Sequence, residues 1–127
     1  MKIIKTDKAP APIGPYNQAI VNNGVVYISG QVAIDPETGE MDNADLETEA
    51  HRVMKNLGAV LEASGSHYSN LIKCSIFILD MDQFSVINEI YGSYFDGYFP
   101  ARETVEVSKL PAGAMVEISA VARSVIS

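Results

Sequence analysis

Residues 102–107 read Arg-Glu-Thr-Val-Glu-Val, and residues 116–123 read Val-Glu-Ile-Ser-Ala-Val-Ala-Arg. Both alternate with the period of a β-strand, in which every second side chain shares a face. In the later stretch Val116, Ile118, Ala120 and Ala122 form the apolar set, and Glu117, Ser119, Val121 and Arg123 lie opposite. In the earlier one Val105 and Val107 are expected to face the core, which turns Arg102, Thr104 and Glu106 the other way. The two strands would then direct Arg102 and Glu117 to one side of a sheet. A guanidinium and a carboxylate on an otherwise apolar face suit two readings. One is a structural ion pair across a subunit boundary. The other is an anion site: Arg offers a planar fork that grips a carboxylate, and Glu can take a proton or hold a water.

The rest of the chain must position these groups. Residues 2–5 form a short, weak strand. Residues 9–16 hold Pro10, Pro12 and Pro15, which fix φ and remove donors, so this segment is a stiff extended loop ending in Tyr16. Residues 18–21 and 25–29 flank Asn22-Asn23-Gly24, a hairpin signal because Asn and Gly tolerate positive φ. Gly30 interrupts the second run, which resumes over residues 31–34; a glycine there marks a bulge or a close approach to the backbone. Residues 35–39 turn. Asp45 caps a helix over residues 44–64, with Leu46, Ala50, Val53, Leu57, Val60 and Leu61 on one face and Gly65 at its end. Residues 71–79 read as a buried strand. Residues 83–95 form a second helix, with Phe84, Ile87, Tyr91, Tyr94 and Phe95 at helical spacing. Strands follow over residues 102–107 and 114–125. The order β-β-β-α-β-α-β-β predicts an α+β fold, a mixed sheet with two helices on one face, in a single domain of residues 1–127. The other face keeps enough apolar positions to expect a second subunit.

Composition narrows the function classes. The chain has 127 residues, 47% of them hydrophobic, and a formal charge of −7 from nine Lys and Arg against sixteen Asp and Glu. That balance lacks the basic footprint of a nucleic-acid binder or a polybasic membrane patch. Apolar runs are too short to span a bilayer and residues 1–12 carry no signal-peptide core, so a cytoplasmic location is expected. The one cysteine, Cys74, excludes an internal disulfide and a Cys-rich metal site. It lies in an apolar strand and reads as packing. His51, on a helix face between Glu47 and Lys55, reads as solvated; His67 lies in a loop. Two isolated histidines do not make a metal site. Tyr91, Tyr94 and Phe95 read as helix core. Glu37, Glu40, Asp42 and Asp45 read as a solvated acidic stretch.

Several segments carry a resemblance. Ala11-Pro12-Ile13-Gly14-Pro15-Tyr16, Ile28-Ser29-Gly30-Gln31, Asn88 ahead of Tyr91, and the run from Phe99 through Pro100-Ala101-Arg102 to Pro111 resemble the signature segments of the RidA (YjgF) family. The match is collinear over nearly the whole chain. It implies a homotrimer with a chorismate-mutase-like fold and clefts between subunits. It also implies hydrolysis of 2-imino acids, or their enamine tautomers, to 2-oxo acids and ammonia, without a cofactor. The implied substrates are 2-iminobutanoate and 2-iminopropanoate, by-products of pyridoxal-phosphate-dependent dehydratases. By this resemblance Arg102 clamps the substrate carboxylate and Glu117 activates the attacking water. Tyr16 closes the cleft with its hydroxyl, Ser29 and the Gly30 N–H line the pocket, and Asn88 joins from the neighbouring subunit. Thr104 stands where many members carry cysteine, which leaves a backbone N–H and a small side chain in the pocket and argues against a catalytic thiol.

Imine hydrolysis needs a held carboxylate, a placed water and a proton route to nitrogen, and one Arg with one Glu can supply these. Two other functions share the cleft. One is a non-catalytic trimer that binds or senses a small carboxylate; the other is an endoribonuclease, which the −7 charge opposes. Glu117 favours chemistry, since a carboxylate receptor gains nothing from a second negative charge. The expected partners are a small 2-imino or 2-oxo acid and further copies of the chain, with no nucleic acid, membrane or metal.

Overall fold

The computed structural model describes residues 1–126. Six strands form among them: β1 (Lys2–Ile4), β2 (Ala19–Asn22), β3 (Val25–Gln31), β4 (Leu71–Ile78), β5 (Ala101–Glu106) and β6 (Val116–Arg123). Two helices join them, α1 (Leu46–Ala63) and α2 (Phe84–Gly92). The strands lie side by side as β1-β2-β3-β6-β4-β5. All neighbours are antiparallel except β4 and β5, which α2 connects as a parallel pair.

Local chemistry explains the elements. Asn23 and Gly24 take φ of 52° and 76°, the left-handed pair that a two-residue hairpin turn requires. Asp45 caps α1 by accepting from the Thr48 N–H at 2.7 Å. Gly65, at φ 67°, ends it, with the Ser66 N–H returning to the Leu61 carbonyl at 2.9 Å. Val53, Met54, Leu57, Val60 and Leu61 of α1 are buried with Val26, Ile76, Ile118 and Ala122 of the sheet in one core. Each such side chain contributes roughly 1.5–3 kcal/mol on burial. The second helix ends at Gly92 rather than Phe95; residues 93–95 continue as tight turns, Tyr94 N–H to Tyr91 and Phe95 N–H to Gly92.

The face away from the helices carries an apolar row. Ile3 is aligned with Ile20, Ile20 with Tyr27, and Tyr27 with Val121. Ile3 and Tyr27 are each 52% exposed.

β5 corrects the sequence reading. Arg102 is aligned with Cys74, and Cys74 with Ala120, both buried on the helix side. Arg102, Thr104 and Glu106 therefore point toward the helices. Val105, aligned with Phe77 and through it with Glu117, lies on the open face and is 42% exposed. The alternation is as expected but its phase is inverted. β5 is the sheet edge, paired only with β4, so burial of the valines does not fix its phase. The helix side fixes it instead: α2 receives the Arg102 guanidinium, and the Met81 N–H donates to Glu106 Oε1 at 2.8 Å. β6 keeps the expected split, with Val116, Ile118, Ala120 and Ala122 buried. Arg102 and Glu117 thus project from opposite faces of the sheet.

Candidate active site

The acid half lies on the open face, where β3 meets β6. Pairing of these strands slips between Ile28 and Gln31, so Ser29-Gly30 is a bulge. The slip brings the Gly30 backbone under the Glu117 side chain. A Cβ at position 30 would stand 2.6 Å from Glu117 Oε2 and 2.7 Å from its Cδ, so only glycine fits without moving the acid. Burial raises the Glu117 pKa above the ordinary carboxylate value. Ile13, Tyr16, Ser29, Gly30, Pro111 and Glu117 line an open cleft of about 420 Å³.

The proline loop is fastened over this cleft. Ser29 donates its hydroxyl to the Asn17 carbonyl at 2.5 Å. The buried Gln18 side chain accepts from the Thr6 N–H at 2.7 Å and donates to the carbonyls of Thr6 and Pro10 at 2.9 and 2.8 Å. Tyr16 turns back on its own loop, its hydroxyl oxygen accepting from the Ile13 N–H at 3.2 Å.

The cationic half lies on the helix side, between β5 and α2. Arg102 Nη1 donates to Asn88 Oδ1 at 2.6 Å. The guanidinium carbon stands 5.4 Å from the Phe84 ring centroid and 5.1 Å from that of Tyr91. Among the described residues Arg102 makes no salt bridge. Two hydroxyls on this side are buried without a hydrogen-bond partner of normal geometry, Tyr91 Oη and Thr104 Oγ1. Burial pushes the neighbouring Cys74 thiol up, despite the pull of Arg102, so it stays protonated and packs.

The endoribonuclease L-PSP family model matches residues 6–124. The chain belongs to this family, the RidA (YjgF) family. It is 46% identical over 121 residues to the mouse 2-iminobutanoate/2-iminopropanoate deaminase, covering 95% of this chain and 90% of that one. RidA from the Antarctic bacterium Psychrobacter sp. PAMC 21119 superposes with a TM-score of 0.94 at 37% identity, covering 97% of this chain and 99% of that one. E. coli TdcF with bound serine gives a TM-score of 0.93 at 38% identity, covering 97% and 98%.

Within one RidA chain the expected site residues separate into two groups. Tyr16, Ser29, Gly30 and Glu117 come together, and Arg102 and Asn88 come together with Thr104 on the same face of β5. Asn88, expected from a neighbouring subunit, bonds to the arginine of its own chain. Phe84, Tyr91 and Gln18 were missed as site residues. An aromatic at helical spacing reads as core whether it meets a methyl group or a cation. Gln18 stands at the start of an apolar run with no sign of the loop it holds. No group of three or more His, Cys, Asp or Glu among the described residues is placed to hold a metal ion. No helix among them is long and apolar enough to cross a membrane.

Proposed function

We propose that this RidA-family chain hydrolyses small 2-imino acids, 2-iminobutanoate and 2-iminopropanoate among them, to 2-oxo acids and ammonia in the cytoplasm. Its site is shared between copies of a homotrimer, with Arg102 from one and Glu117, Gly30 and Tyr16 from the next. The observation that carries this is the division itself: Arg102 has no acid partner among the described residues, and Glu117 lies on the opposite face of the same sheet. The apolar row Ile3, Ile20, Tyr27 and Val121, exposed at Ile3 and Tyr27 and half-buried at the other two, supports a second copy on the face that bears Glu117. The mouse relative bears the deaminase name, and the TdcF structure holds serine, a small molecule with the carboxylate that Arg102 would take.

In this reading Arg102 fixes the substrate carboxylate, which places the adjacent C=N carbon in the cleft. Glu117, raised toward neutrality, takes a proton from water as oxygen adds to that carbon. The nitrogen gains its protons, the C–N bond breaks, and ammonia leaves as the carbonyl forms. A group that transfers a proton in this way contributes roughly 10²–10⁴-fold. Tyr16 and the Thr104 N–H border the bound acid. The ribonuclease activity in the family description is opposed by the net charge of −7.

A dehydratase that releases the imine, coupled to detection of the 2-oxo acid, tests the reading. Arg102→Ala and Glu117→Gln should each lose nearly all activity while keeping fold and assembly. Co-assembled in equal amounts, the two inactive chains should regain about a quarter of wild-type activity, the share of pockets that receive both intact groups. No recovery, or Arg102→Ala within twofold of wild type, overturns the proposal.

A further inference from the structure

Phe84, Asn88 and Tyr91 stand at i, i+4 and i+7 on α2 and so share one helix face over two turns. All three meet Arg102. Side chains seven residues apart are separated by about 10 Å along a helix axis. A guanidinium just over 5 Å from each ring centroid therefore sits between them. Asn88 lies midway and accepts from Nη1 at 2.6 Å. The rings hold the guanidinium carbon at these distances, and the amide engages one of its terminal nitrogens.

These partners are neutral. A carboxylate in place of Asn88 would bond more strongly but would also neutralise the cation. The arrangement holds the geometry and leaves the whole positive charge for a ligand. With Nη1 engaged by Asn88, the edge formed by Nε and Nη2 keeps both of its parallel donors, the fork that matches a carboxylate side-on.

We propose that Phe84, Asn88 and Tyr91 are positioning residues, a neutral cradle on α2 that presents the Nε–Nη2 edge of Arg102 to the carboxylate of the ligand. This rests on the reading of Arg102 as the carboxylate clamp. The cradle acts through Arg102, so it governs affinity for the acid more than the chemical step.

Asn88→Asp separates this from a packing role. It keeps the size and the hydrogen bond, so packing is preserved, while the added anion cancels the charge that the neutral amide leaves free on Arg102. The cradle predicts a melting temperature at or above wild type, with KM for 2-iminobutanoate and the inhibition constant of 2-oxobutanoate each raised about tenfold, and kcat changed less than threefold. The neutral analogue 2-oxobutanamide should inhibit the variant and wild type alike. Phe84→Leu should weaken 2-oxobutanoate by about fivefold to tenfold, and Phe84→Tyr, which restores a ring face, should recover most of that loss. Wild-type affinity for 2-oxobutanoate in Asn88→Asp, or equal weakening of the acid and the amide, overturns the cradle. If Arg102→Ala abolishes 2-oxobutanoate binding while the α2 variants do not alter it, the cradle alone fails. If Arg102→Ala binds 2-oxobutanoate as wild type does, the clamp itself fails, and the cradle with it.

Discussion

Glu117 is a half-buried acid over a glycine backbone, and its protonation should be visible in two measurements. Burial raises its pKa, so the folded state holds this proton more tightly than the unfolded chain does. The active form is deprotonated, and kcat/KM should fall as pH drops through a value above the ordinary carboxylate range. Stability runs the other way. It should decline as pH rises from the unfolded value through the raised folded one. Glu117→Gln removes that penalty, so this inactive variant should melt above wild type near neutral pH, with no gain below both values. A melting series across pH checks the sign. At this scale the sequence was informative for residues with distinctive chemistry, Arg102, Glu117 and Gly30. It was silent on Phe84 and Tyr91, because a ring shows its second use only when the cation above it is seen.

Elements are positioned by buried polar groups that no periodicity announces. Glu49, in the first turn of α1 and 2% exposed, accepts through Oε2 from the N–H groups of Met115 and Val116 at 2.7 and 3.1 Å. It ties α1 to the start of the strand that carries Glu117. Glu49→Ala orphans two N–H groups and should cost about 2–4 kcal/mol in denaturant unfolding, whereas Glu49→Gln, which keeps one oxygen for both, should cost about 1 kcal/mol or less. The sequence reading assigns Glu49 no role; the signal it carries is its i+4 relation to buried Val53. The central elements were legible because capping, hairpin chemistry and periodicity agreed over residues 19–31 and 45–65. The β5 phase was not legible. In an edge strand the more apolar face, here that of Val105, can stay exposed, and α2 decides the phase through contacts distant in sequence.

Across the whole molecule, the surplus of apolar residues predicts a second buried surface, and the open face carries Ile3 and Tyr27, each 52% exposed, in the apolar row that would supply it. Strand order could not be read, since it depends on β6 inserting between β3 and β4. The opposite facing of Arg102 and Glu117 was beyond the sequence for a different reason, the unread phase of β5. If the row joins copies, Tyr27→Glu places a charge at its centre. Light scattering should then report a smaller assembly, circular dichroism an intact fold, and the deaminase assay a loss of at least tenfold, on the order expected for a charge buried without a partner. Wild-type mass and activity in this variant would remove the open face from the site.

The closeness of Gly30 to Glu117 also restricts the routes by which the protein can diverge. A side chain at position 30 would meet the Glu117 carboxylate at 2.6 Å, so it can be added only if the acid leaves its present place. The glycine thus fixes where the acid stands. Descendants that fill position 30 must carry the acid in another rotamer or as the shorter aspartate.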